Sequence, residues 1–450
     1  MAAPILFQST DSGAQSMTGL AGALINVLSS CLVVNSVFST ADDVSFTDNT
    51  TEARLDGGTQ FKLFPTPASG DRTYIGMTNK FSQVTINLNT LGVGGTIVWE
   101  YWNGSAWTTL TVSDGTSGLT ASGTLTWTAP SDWATKAVNS VTQYWVRVRA
   151  SANPTTNPQA ASITVLGWLE AYTASNKRAY KQGGGILQYL DVDDTGPGAA
   201  TTQEARLRGY ETMSAVGTGT QAYPTAAQFA AGIIVRKSAA ATSTTRVWRV
   251  IADDKTFTLM IFSGDSAGNA TNFHFGDACS VANGDSYRNI IIGRTTENST
   301  VILSSTDCFG VLATTMTTTT SGHYMDRGYT GLGGSVPVIK TPADSIAMNS
   351  SAFSGAMVYP NNLDGGLYVC KLCIYDNTTP PTAGRRAYLR GVWAICHSQF
   401  TYVASVPDGT TFSGVVDGVS RSFMVISGVG GSSSPGWMAI ETSNTWLTSS

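Results

Sequence analysis

The chain has 450 residues, of which 12% are charged, about half of the roughly 25% usual in soluble domains. Its 26 Lys and Arg against 30 Asp and Glu give a net charge of −4, which excludes the broad positive field that grips a nucleic-acid backbone. Hydrophobic residues at 42% with so little net charge exclude disorder, and 47 glycines without a three-residue period exclude a collagen.

The first predicted element is helical. Met17, Leu20, Ala21, Leu24, Val27, Leu28, Cys31 and Leu32 recur at three- and four-residue spacing, which assigns residues 1–38 to an N-terminal helical region. Its other positions are small or polar and uncharged, so it packs either on another chain or inside its own. The first basic residue is Arg54, and the apolar stretch Leu20 to Val34 is broken by Asn26, Ser29 and Ser30. Neither a basic leader nor a membrane span is therefore expected, and the chain is predicted to be made and assembled in a cytoplasm.

From residue 39 to 166 the period becomes two. Strands are predicted at 83–87, at 96–102 (TIVWEYW) and at 107–112, with Asn103-Gly104 supplying the turn between the last two. Further strands are expected at 124–128 and 144–149 (YWVRVR). The latter sets Trp145, Arg147 and Arg149 on one face and Tyr144, Val146 and Val148 on the other. Such short strands with Gly and Ser turns predict an antiparallel β-sandwich module, closed by a loop at 151–161. Residues 167–450 read as a larger β-rich domain. Its strands are predicted at 185–192, 232–236, 247–252, 257–262, 289–292, 368–375 and 421–426, with a short helix at 225–231. The tract 314–321 and the segment 430–436 read as low-complexity edge or loop. The fold class is thus mainly β.

Four constellations bear on chemistry. Gly264-x-Ser266-x-Gly268 follows a predicted strand, as the nucleophile elbow of a hydrolase does. The segment after it alternates like a returning strand, and His323 or His397 would have to act as base without any sequence cue, so a hairpin turn is the favoured reading. Cys370 and Cys373 precede Cys396 and His397, but an offset of three along a strand puts the two thiols on opposite faces, which favours structural cysteines over zinc. All six cysteines are expected reduced, because their density is far below that of a disulfide scaffold. Asp191, Asp193 and Asp194 gather carboxylates at a strand end and are weak candidates for a cation site, against the plainer reading of turn residues. Aromatic residues crowd the sandwich, and Trp102, Trp107, Trp133 and Trp145 are candidates for stacking on sugars of a host surface, against a role in the core. No catalytic residue and no cofactor are assigned.

The run FPTPASGDRTYIG, TIVWEYWNGSAWTTLTVSDGT, GTLTWTAPSDW and YWVRVRAS resembles a β-sandwich module that recurs in bacteriophage virion proteins, especially those of tails and appendages. The segments GWLEAYTASNKRAYKQGGG, YLDVDDTGPG, EARLRGYETMS, IIIGR, YTGLGGSVPV and ETSNTW, with APILFQSTDSGA at the start, resemble a family of bacteriophage virion structural proteins in which that module is inserted. The resemblance implies a virion location and a non-enzymatic structural role, most readily as a tail or tail-appendage component. Its implied partners are further copies of itself, other virion proteins and a host surface glycan or receptor. A capsid decoration or head-associated protein is the alternative, and a tail-borne hydrolase is less favoured.

Overall fold

The structure, a computed structural model, describes residues 3–9, 17–196, 204–237, 247–262, 270–279, 281, 285–294, 321–328, 331, 337–340, 367–376, 385–397, 409–416, 418–426, 438–443 and 446. Among these residues it is mainly β, with several antiparallel sheets and two short helices. The chain divides into two compact units, one made of residues 1–5, 28–173 and 180–184, the other of 6–27, 174–179 and 185–450. Among the described residues no helix is long and apolar enough to cross a membrane.

The first unit is a β-sandwich. Its larger sheet runs Thr47–Asp48, Ser36–Thr40, Arg72–Met77, Val141–Ala152, Thr96–Trp102 and Trp107–Thr109, with Thr135–Val138 also paired to Val141–Ala152. The smaller sheet runs Phe61–Lys62, Gln159–Thr164, Gln83–Thr90, Gly123–Thr126 and Ser113–Asp114. Alternate residues Val84, Ile86, Leu125, Ile163, Val146, Val148 and Ala150 are all fully buried. Each large apolar side chain so removed from water stabilises the fold by roughly 1.5–3 kcal/mol.

Two local sequence features set this register. Gly104 takes φ +96 in the loop between Thr96–Trp102 and Trp107–Thr109, and the Asn103 side-chain oxygen accepts from the backbone N–H groups of Ser105 and Ala106 at 3.0 and 2.8 Å. The predicted turn is therefore a four-residue loop held by an Asx interaction, with Trp102 paired to Trp107. Gly76 lies opposite Trp145 in the ladder, and a Cβ added there would fall 2.5 Å from the Trp145 ring. Only glycine lets that indole lie flat across its neighbour strand.

The N-terminal region departs from expectation. The helix spans only Ala23–Leu32, a strand Ile5–Gln8 precedes it, and Ser36–Thr40 is a strand between Thr47–Asp48 and Arg72–Met77. Leu24, Ile25, Val27, Leu28, Cys31 and Leu32 are buried within the chain itself, so the apolar side of the helix is not a free anchor face. The expected loop at 151–161 is also corrected: Val141–Ala152 runs into it, and Gln159–Thr164 leaves it as an interior strand.

In the second unit a large antiparallel sheet contains, in spatial order, Ile5–Gln8, Trp248–Ala252, Thr256–Phe262, Ala270–Asp277, Asn289–Arg294, Ile233–Arg236, Glu204–Tyr210 and Tyr189–Asp193. A second sheet runs Pro337–Lys340, Leu367–Asp376, Arg385–His397, Met438–Glu441, Val419–Ile426 and Thr411–Val416. One hydrophobic cluster joins Met260, Ile290 and Ile292 of the first sheet to Ile374, Leu389 and Ile440 of the second. The helix expected at 225–231 is a single turn. Thr225 and Gln228 cap each other reciprocally, Thr225 N–H to Gln228 Oε1 at 2.8 Å and Gln228 N–H to Thr225 Oγ1 at 3.2 Å, and Gly232 at φ +76 turns the chain into Ile233–Arg236. The Ser266 motif and the tracts at 314–320 and 430–436 lie outside the described residues.

Candidate functional site

Side chains of the larger sandwich sheet that point away from the sandwich interior form a second aromatic cluster. Phe38, Tyr74, Val138 and Trp145 are its buried members, and Phe46, Trp107 and Val141 pack on them half-buried. The cluster exists because Trp145 and Arg147 alternate with the inward Val146 and Val148 on one strand, as the period-two pattern predicts.

A charged network crosses it. Arg147 stands opposite Glu100 and donates Nε to its carboxylate at 2.8 Å, while Arg149 reaches the same carboxylate at 3.3 Å. Arg147 also donates to the Tyr74 hydroxyl at 2.8 Å, and that hydroxyl donates to Asp43 at 2.7 Å. Asp43 is in turn paired with Arg72. Burial and the bond to Asp43 push the Tyr74 phenol up to about 12.

The four candidate tryptophans separate into two pairs. Trp145 is 0% exposed and Trp133 3% exposed. The Trp145 indole N–H donates to the Lys136 carbonyl at 2.8 Å, and that of Trp133 to the Trp145 carbonyl at 3.2 Å. These two are core residues, a correction to the stacking role expected of them, because neither ring presents a face to solvent. Trp102 and Trp107 are half-buried and pack edge to face with centroids 5.6 Å apart. The Lys136 ammonium lies 3.8 Å from the centre of the Trp102 ring, and the Arg147 guanidinium 4.2 Å from a Trp107 ring centre. One face of each indole is thus covered by a cation. Val44, 81% exposed, stands on the turn next to Asp43 and extends the patch toward solvent. The arrangement offers half-exposed aromatic surface beside fixed charge, which suits binding by stacking.

The three aspartates do not converge. Asp191 accepts from the Gly217 N–H at 3.0 Å, and burial pushes its carboxyl up to about 6. Asp193 pairs with Lys177 at 2.6 Å and accepts from Thr195; burial disfavours its ionised form, but these partners outweigh that and hold it below the usual range. Asp194 is turned inward to Lys237 and the start of the helix. Each of these carboxylates thus has a donor of its own, as turn and strand-end residues do. Among the described residues no group of three or more His, Cys, Asp and Glu side chains is placed to hold a metal. Cys370 and Cys373 lie on one strand, Leu367–Asp376, with a register shift between Lys371 and Cys373. Cys31 and Cys279 are free thiols and buried.

Sequence reasoning missed the charge economy of the second unit. Lys237 with Asp194, Arg236 with Glu204, Arg386 with Asp285, Arg390 with Asp253 and Arg421 with Glu441 are ion pairs whose side chains are at most 7% exposed. Partners so distant in sequence leave no local spacing signal. No protein-family model matches the chain, and no curated protein matches it.

Proposed function

We propose that this chain is a non-enzymatic structural protein of a bacteriophage virion, a tail or tail-appendage component that self-associates and docks to other particle proteins. The observation that carries this reading is the withdrawal of charge from the surface. Only 12% of the chain is charged, and many of those residues, including the five pairs of the second unit, are spent inside. What remains outside is rich in Thr, Ser and Gly, a surface that opposes association weakly. The resemblance of the two halves to virion proteins gives that association its setting.

The half-exposed Trp102 and Trp107 make the sandwich the part suited to host attachment. Sedimentation velocity of the full chain over a wide concentration range tests the main reading. Concentration-dependent assembly is expected, and a monomer at every concentration would overturn it. For attachment, the full chain and its Trp102→Ala variant are compared on a panel of purified bacterial surface polysaccharides; retention of one by the wild type and its loss in the variant is the expected pair of results.

A further inference from the structure

In the second unit, the Lys237 ammonium and the Asp194 carboxylate are both 0% exposed and 2.5 Å apart. Their surroundings are those of an amide. Asp194 Oδ2 accepts from the backbone N–H groups of Leu24 and Ile25 at 2.8 and 3.2 Å, in the first turn of the helix Ala23–Leu32. Lys237 Nζ also donates to the Leu20 carbonyl at 2.6 Å. An ammonium has three N–H donors and meets two acceptors among the described residues, whereas an amide nitrogen has one N–H, for which Leu20 suffices.

We propose that Asp194 and Lys237 condense to an intramolecular isopeptide bond that locks the end of strand Tyr189–Asp193 to the end of strand Ile233–Arg236. The reaction starts with transfer of a proton from Nζ to Oδ1 along their hydrogen bond, which converts the ion pair into a neutral amine and a carboxylic acid. The amine lone pair attacks Cγ and the negative charge develops on Oδ2, where the Leu24 and Ile25 N–H groups already point, as oxyanion donors do. The Cγ–Oδ1 bond then breaks. Oδ1 leaves as water, carrying its own proton and one from Nζ, and the balance is amine plus acid giving amide plus water. No oxidant, metal or cofactor enters.

Two features favour this over a permanent ion pair. Fixing the two groups side by side replaces a bimolecular encounter by an intramolecular one. Burial also pushes the Asp194 carboxyl up and the Lys237 ammonium down, toward the neutral forms that condense. The bond would close a loop between residues 43 apart in sequence, adding a covalent tie to a protein whose proposed place is a virion.

Intact mass of the purified full chain under denaturing conditions tests the proposal. A species lighter than the sequence mass by one water is expected. Protease digestion should then yield one branched peptide joining the segment that contains Asp194 to the segment that contains Lys237, which distinguishes the bond from loss of water by cyclisation at an Asp-Gly step. Lys237→Arg, which keeps the charge but not the amine, should restore the full mass. Wild-type chain of full mass with no branched peptide would overturn the proposal, whatever the variant does.

Discussion

Arg147 lies directly across the ladder from Glu100, donates to its carboxylate at 2.8 Å, and stacks on Trp107 with 4.2 Å between the guanidinium and the ring centre. The side chains of the pair are 8% and 10% exposed, and the Glu100 carboxylate also holds Arg149, which is 30% exposed. Removing one partner of a buried pair leaves the other uncompensated and costs about 3–5 kcal/mol. Glu100→Ala should therefore lower the urea midpoint of the transition that reports on the sandwich tryptophans by an amount in that range. Glu100→Leu combined with Arg147→Met should recover most of the loss, since the buried cation goes with its partner and Arg149, which also loses Glu100, is 30% exposed. If the single variant melts like wild type, the network is not a structural element of this face.

The two pairs of tryptophans should respond differently to truncation. Trp145 is fully buried between Phe38 and Tyr74, at 5.6 and 6.2 Å between ring centres, so Trp145→Ala opens a cavity and should cost about 3–5 kcal/mol. Trp102→Ala removes a half-buried ring at the rim and should cost about 1 kcal/mol. Chemical denaturation of the two variants gives the comparison; equal losses would mean that Trp102 is as much a core residue as Trp145.

The sandwich was legible where the sequence pattern is local. The strand Thr96–Trp102, the Asn103-Gly104 turn and the split of Trp145, Arg147 and Arg149 from Val146 and Val148 all follow from period two and turn chemistry. Gln159–Thr164 was hidden because its small residues (QAASIT) lack the bulk that marks a strand, although Ala160 and Ile163 are fully buried. The helix start was hidden for a different reason. Its first N–H groups are capped by Asp194, about 170 residues away, where a sequence reader looks for a neighbouring Ser, Thr or Asp. Trp133 and Trp145 could not be told from Trp102 and Trp107 by composition, because exposure is a property of tertiary packing.

Cys31 and Cys279 should resist alkylation in the native chain. Burial pushes the Cys279 thiol up to about 12, and its Sγ donates to the Tyr388 carbonyl at 3.5 Å; burial drives Cys31 further above the ordinary thiol range. Since the thiolate is the nucleophile, iodoacetamide at pH 8 should label both at least ~1000-fold more slowly than in urea. Peptide mapping of the two sites gives the rates, and native labelling at the denatured rate would contradict their burial.

The last expectation concerns pH. Asp326 is buried, and burial pushes its carboxyl up to about 8 against the lowering effect of the Arg327 backbone N–H at 3.0 Å and of Arg386, with Glu211 raising it further. The Asn289 backbone also lowers it, Gln188 donates to Oδ2 at 3.2 Å, and the Asn289 carbonyl accepts from the Asp326 N–H at 3.0 Å. The folded chain thus holds a proton that the unfolded chain releases near 3.8, so stability falls as pH rises between 3.8 and about 8 and is level above that. His274 works in the opposite sense. Burial lowers it from 6.5 to about 3, so its contribution is lost as pH falls below 6.5 and is constant above it. The window from pH 6.5 to 8 therefore isolates Asp326 from His274. Across it the wild type should lose about 2 kcal/mol relative to Asp326→Asn, at about 1.4 kcal/mol per pH unit for one proton. The variant keeps an oxygen acceptor for Gln188 while removing the titration, so urea midpoints measured at pH 6.5, 7.25 and 8 should diverge between the two chains. Parallel curves would place the Asp326 carboxyl in its ordinary range despite its burial.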